Sequence, residues 1–252
     1  MFSPALRHRQ KVLAAQAGQP IETTRRAPAE PKADTGPGRE YAALRAALHE
    51  DLRRLSDVQS IEARNPMKAE MARTYINWVK GVLEAGEEGQ AAQDEIVTTM
   101  MIWAIDCRDF DSAIRIAAHV LKFNLALPER YNRTAGCFIA EDIAEVALKD
   151  PEAVTLPELL QVEQLTASED MPDKARSKLH KALGRAFAER AEHFDPSDEN
   201  APAGGKAAYT EQALVHFQRA LALYENCGVK KDIERVERQL KALTAKVDGA
   251  QD

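Results

Sequence analysis

The sequence has little that could build a β-sheet. No segment alternates β-branched and polar residues over a strand's length, and aromatic residues make up only 6% of the chain. Alanine, leucine and glutamate are plentiful instead, and these favour helix. Long apolar runs are missing too. The densest, from Met100 to Ile105, is far short of the roughly 18 residues that a membrane span needs. The basic N-terminus lacks the apolar stretch of a signal peptide. The expectation is a cytoplasmic protein with no membrane partner. Cysteine is scarce: Cys107, Cys137 and Cys227 are far apart and odd in number. They read as reduced packing residues with no zinc pattern. No Gly-x-x-x-x-Gly-Lys-Ser/Thr loop is present, so the chain is not expected to hydrolyse ATP. Nor is there a Pro-Asp…Asp/Glu-x-Lys nuclease constellation. Pro172-Asp173-Lys174 has its start without the partners.

What is present is helical periodicity, clearest between Asp94 and Leu127. Ile96, Met100, Trp103 and Cys107 form one apolar stripe, and Ile114, Ala117, Val120 and Leu121 form a second. The polar break Cys107-Arg108-Asp109-Phe110-Asp111 lies between them, with Asp109 or Asp111 able to cap the second helix. So short a connection predicts an antiparallel helical hairpin. Arg108, Asp109, Phe110 and Ala113 stand where a tetratricopeptide repeat has its Gly-Asp-Tyr-x-x-Ala turn, without the glycine. A second such unit pairs Leu183-Gly184-x-x-Phe187 with Ala213, Phe217, Ala220, Leu221 and Leu223, across an unusually long loop. The fold class is therefore expected to be all-α, about nine helices in stacked hairpins resembling tetratricopeptide repeats.

Charge is unevenly spread. Residues 1–39 hold seven basic side chains against three acidic ones, a net of +4. With a whole-chain charge of −6, the remainder carries −10. Gly18 to Gly38 is rich in proline and glycine, so residues 1–38 read as a flexible basic arm suited to a polyanion. The expected divisions are this arm, a helical domain over 39–193, a loop over 194–206, and a C-terminal helical hairpin over 207–252.

Several helix boundaries are legible. Tyr41, Leu44, Leu48, Leu52, Leu55 and Val58 mark one amphipathic helix. Asn65-Pro66 reads as the start of a helix reaching Gly86. Thr155-Leu-Pro-Glu158 reads as a capping box, and Asp170-Met-Pro-Asp173 opens a helix running to about Phe194. Val229, Ile233, Val236, Leu240, Leu243 and Val247 step in fours and threes as a heptad seam. That seam either covers the preceding helix or serves self-association.

The residues with chemical potential have plainer readings beside them. Asp106, Asp109 and Asp111, with Asp94 and Glu95, could hold Mg²⁺ for phosphodiester cleavage. Yet acids belong at helix starts for capping and dipole reasons, so little nuclease turnover is expected of the chain alone. His119 and His180 have no metal-ligand spacing in sequence and read as packing or surface residues. No bound metal or cofactor is expected, with Mg²⁺ the candidate if the chain is a nuclease.

Six stretches in order resemble the small terminase subunit family of temperate tailed phages, of the endonuclease-subunit type. They are Ser3-Pro4-Ala5-x-Arg7-His8; Trp78-Val79-x-Gly81-Val82-Leu83-Glu84; the central hairpin with Asp94, Trp103, Asp106 and Asp109; Asp170-Met171-Pro172-Asp173; Lys178-Leu179-His180-Lys181; and Gly228 to Arg235. The resemblance implies a protein that binds phage double-stranded DNA at its packaging site. It also implies a large ATPase subunit as partner in cutting and packaging, and a homo-oligomer. The basic residues Arg7, Arg9, Lys11, Arg25 and Arg26 are the expected DNA contacts, with Lys230, Lys231 and Arg235 as a second group. Val229, Ile233, Val236, Leu240 and Leu243 are the expected oligomerisation residues. A tetratricopeptide-like adaptor that binds only protein, and a true metal nuclease, are the competing readings.

Overall fold

The computed structural model describes residues 4–20, 27–195 and 204–248, with backbone alone for 19–20 and 245–248. Among these residues the fold is all-α as expected, with eleven α-helices rather than about nine. The strand content is a two-residue antiparallel pairing of β1 (Gln19–Pro20) with β2 (Gln90–Ala91). The chain divides into two compact units, Met1–Ala135 and Gly136–Asp252. The helical segment 39–193 drawn from sequence spans that division.

The first unit holds α1 (Pro4–Ala17), α2 (Gly36–Ser56), α3 (Ile61–Ala72), α4 (Ile76–Glu87), α5 (Glu95–Asp106) and α6 (Phe110–Lys122). Its core is built on Trp78, Tyr75, Leu48, Ile96, Met101 and Ile102, all essentially without solvent contact. Tyr41 stacks on Trp78 with ring centroids 5.9 Å apart, and Tyr75 meets Trp103 edge-on at 6.4 Å.

The central hairpin forms as expected, and its turn shows why. Asp109 caps α6 by accepting from the Ser112 N–H at 3.2 Å. The end of α5 closes with two reversed hydrogen bonds: Asp109 N–H to the Ala104 carbonyl at 2.9 Å, and Arg108 N–H to that of Ile105 at 3.1 Å. This closure needs a left-handed residue, and Arg108 supplies it with φ 63°. The position where the repeat pattern has glycine is thus a position whose backbone favours glycine.

Two expectations about this unit are corrected. Asn65-Pro66 does not open a helix. Ser60 does, its hydroxyl accepting from the Ala63 N–H, and Pro66 sits inside α3. Asn65 serves a tertiary purpose: its side-chain amide donates to the Asp106 carbonyl at 2.8 Å, tying α3 to the end of α5. The chain then breaks at Arg73–Tyr75, so the predicted helix from 65 to 86 is two helices.

The second correction concerns residues 1–38 as an unpacked arm. Helix α1 is packed on α4, burying Ala14 and Ala17. The contact is close enough that a Cβ on Gly81 would lie 2.3 Å from the Lys11 carbonyl oxygen and 2.7 Å from Ala14 Cβ. The end of the supposed linker is also anchored. Pro31 is buried, the Ala29 carbonyl accepts from the Gln93 N–H at 3.1 Å, and Thr35 caps α2. Small residues and backbone groups, rather than large apolar side chains, make these contacts.

The second unit holds α7 (Ala135–Lys149), α8 (Leu156–Thr166), α9 (Asp173–Glu192), α10 (Gly205–Leu223), a 3₁₀ turn (Glu225–Cys227) and α11 (Lys230–Asp248). The Thr155–Glu158 capping box is present in both directions. Helices α9 and α10 run antiparallel: Ser177 donates to the Ala220 carbonyl at 2.8 Å, while Phe194 meets Tyr209. Between these points Gly184 lets Phe217 approach so closely that a Cβ would sit 2.6 Å from its ring.

Candidate functional site

The acidic residues of the hairpin are spoken for one by one. Asp94 caps α5 by accepting from the Val97 N–H at 3.0 Å, and its other oxygen accepts from the Trp78 indole at 2.7 Å. Burial lifts its carboxyl to about 6, against the lowering effect of those hydrogen bonds. Asp106 pairs with Lys68 at 2.7 Å, Asp109 caps α6, and the exposed Asp111 lies 3.7 Å from Arg115. Among the described residues these carboxylates do not converge on one point that could hold a metal ion.

Of the basic residues expected to meet DNA, Arg7, Arg9 and Lys11 lie on α1, and Lys230, Lys231 and Arg235 on α11. Arg7 and Arg9 are exposed on α1, with Arg9 4.0 Å from Glu40. Lys11 pairs with Glu84 at 2.6 Å. Arg25 and Arg26 lie outside the described residues. On α11, Lys230 and Lys231 are exposed, and Lys230 is 3.6 Å from Glu225. Arg235 bonds Glu192 at 2.5 Å and lies 3.6 Å from Asp232.

The heptad seam is used within the chain. Val229 and Val236 are fully buried, and α11 packs along α10. Ile233, Leu240 and Leu243 are half-buried. Val247 lies among the residues whose side chains are not described.

Two features escaped sequence reasoning. One is a cleft in the second unit lined by Lys149, Lys174, Lys178, Lys181 and Tyr224. Spacing of four and three along α9 puts three of these lysines on one face, a signal that could have found it. All four have local partners: Lys178 bonds Glu141 and Glu145, Lys149 lies 3.8 Å from Glu145, Lys181 donates to the Cys227 carbonyl, and Lys174 sits over the Tyr224 ring. The other feature gathers Glu163, His180 and His216 from α8, α9 and α10. Their separation in sequence hid them, and His180 is a member of a cluster rather than a lone packing residue. His119, by contrast, has the packing role expected: it is buried against Phe123, and burial first, then Lys122, pushes its imidazole down to about 4.

Fold and surfaces together define an all-α protein of short, mostly capped helices that displays basic side chains on α1 and α11. Its sequence matches the model of the phage small terminase subunit over residues 45–174. It is 36% identical to the "Terminase, endonuclease subunit" of Escherichia phage P2, over 96% of this chain and 87% of that protein. It is 24% identical to the "Probable terminase, endonuclease subunit" of Haemophilus phage HP1, over 84% of this chain and 74% of that one. The chain belongs to the phage small terminase subunit family. No solved structure matches it.

Proposed function

We propose that this chain is the DNA-recognising subunit of a phage packaging terminase. It binds phage double-stranded DNA at the packaging site and acts with a large ATPase subunit in cutting and packaging that DNA. The observation that carries this reading is the near full-length similarity to the phage P2 terminase subunit. Exposed Arg7 and Arg9 on α1 support a phosphate-contacting surface there, with Lys230, Lys231 and Arg235 as a second one. The hairpins α5–α6 and α9–α10 are of tetratricopeptide kind, a fold suited to meeting a protein partner. Self-association uses the outer edge of α11, where Ile233, Leu240 and Leu243 keep part of their surface in solvent.

Retention of the purified chain on duplex DNA should fall steeply with salt, because each phosphate contact releases counterions. Replacing Arg7, Arg9, Lys11, Arg25 and Arg26 with Gln should weaken binding and flatten that dependence. No retention at low salt would instead favour a protein-only adaptor. Cleavage is proposed to require the large subunit. Mg²⁺-dependent nicking by the chain alone, lost on replacing Asp106, Asp109 and Asp111 with Asn in a folded variant, would move the endonuclease to this chain. Ile233→Asp combined with Leu240→Asp should lower the solution mass of any assembly; an unchanged mass in a folded variant would place the interface elsewhere.

A further inference from the structure

The second unit brings together three donor atoms that its hydrogen bonding leaves incompletely used. The Nδ1 atoms of His180 and His216 face each other at 3.0 Å. Oε1 of Glu163 lies 3.6 Å from the first and 3.9 Å from the second. We propose that Glu163, His180 and His216 form a binding site for a divalent transition ion of the zinc class, which pins α8, α9 and α10 together.

Geometry carries the proposal. A triangle with those three sides has a point equidistant from its corners at about 2 Å, the length of a zinc–imidazole or zinc–carboxylate bond. Two imidazole nitrogens and one carboxylate oxygen are a donor set suited to borderline divalent ions, and three protein ligands leave a fourth position for water. The Glu163 side chain is 31% exposed, which gives the ion a way in and the water a place to sit.

The plain alternative is a histidine pair sharing one proton. That would satisfy the two facing nitrogens. It leaves the half-buried Glu163 carboxylate beyond hydrogen-bonding reach of either ring. An ion at the equidistant point would use all three atoms. The surroundings also keep the rings ready to bind. Burial lowers both imidazoles, His180 to about 4 with His216, Arg219 and Arg176 adding to the effect, so both are neutral at physiological pH. Phe187 stacks on His216 with centroids 5.3 Å apart and planes 13° from parallel, which fixes that ring. Arg176 and Arg219 oppose a cation by charge, and the Glu163 carboxylate offsets them.

The test uses the untagged full chain after chelator treatment, titrated separately with Zn²⁺ and Co²⁺. One equivalent of Zn²⁺ should bind and raise Tm. Co²⁺ should give the visible absorption of a low-coordinate nitrogen–oxygen site. Glu163→Gln and His216→Ala, with unchanged circular dichroism, should bind at least tenfold more weakly and lose the Tm shift. If His216→Ala does not fold, Glu163→Gln alone decides, because its side chain keeps size and polarity. Absence of both responses in the unaltered chain would overturn the proposal. So would equal binding in Glu163→Gln, which would show that Glu163 is not a ligand. DNA retention plays no part in the readout, so this outcome is independent of the proposed packaging role.

Discussion

Trp78 and Asp94 hold each other in the core of the first unit: the indole N–H donates to Oδ2 at 2.7 Å, and neither side chain has appreciable solvent contact. The same carboxylate caps α5 through Oδ1, so one buried group fixes the start of the hairpin and its packing on α4. Asp94→Asn presents an amide N–H to the indole N–H and leaves a donor unpaired. It should cost about 1–3 kcal/mol near neutral pH, read by urea denaturation. A loss of a few tenths would mean that the pair is dispensable.

The carboxyl of Asp94 also gives stability a pH dependence of unusual sign. Its folded value of about 6 lies above the usual range for aspartate. The folded state therefore holds the proton more tightly than the unfolded state. Its contribution is fully present below the unfolded value and is lost as pH rises towards 6, by on the order of 3 kcal/mol. The stability difference between wild type and Asp94→Asn should accordingly shrink between about pH 4 and pH 6. A difference that grows over this window would contradict the assignment.

His119 works in the opposite direction. Burial lowers its imidazole to about 4, so the folded state resists protonation. Stability contributed by the neutral ring is present above the unfolded value near 6.5 and is lost as pH falls towards 4. Its Nε2 is buried without a partner, so His119→Leu forfeits no hydrogen bond there. The stability of this variant relative to wild type should improve on acidification. A constant difference from neutral pH to about 4.5 would show that His119 does not titrate in this window.

Gly81 controls the docking of α1. Gly81→Ala places a methyl group against the Lys11 carbonyl oxygen and Ala14 Cβ. Overpacking of this kind costs about 1–3 kcal/mol. Helix α1 should become sensitive to limited proteolysis while the rest of the first unit stays protected. Unchanged digestion at α1 would mean that the contact is looser than the structure has it.

Arg108→Gly should raise stability by about 0.5–1 kcal/mol, since a left-handed residue with a side chain costs roughly 1–2 kcal/mol and glycine's extra chain entropy takes back part of it. The denaturation midpoint is the readout. A lower midpoint would show that contacts of the Arg108 side chain outweigh the backbone term.

Features decided within a few residues were legible in the sequence. The helical class, the hairpin turn at Asp109, and the Thr155 capping box follow from apolar spacing and from side chains that bond N–H groups two or three positions ahead. The heptad seam was equally plain, but its target was not. Only the packed chain shows Val229 and Val236 buried in the second unit, where α11 lies along α10. Asn65-Pro66 misled because Ser60 competes for the same role, and because the Asp106 carbonyl that claims the Asn65 side chain lies on another helix.

By itself the sequence determined the helical class, several helix ends, the uneven charge and the family resemblance, since each depends on residue type and near-neighbour spacing. Tertiary structure alone decided that α1 is docked, that Asp94 is buried against Trp78, and that Glu163, His180 and His216 meet. Those outcomes depend on close approach between distant segments. Glycines and alanines permit that approach without advertising it, because small side chains carry little hydrophobic signal while allowing backbones to touch.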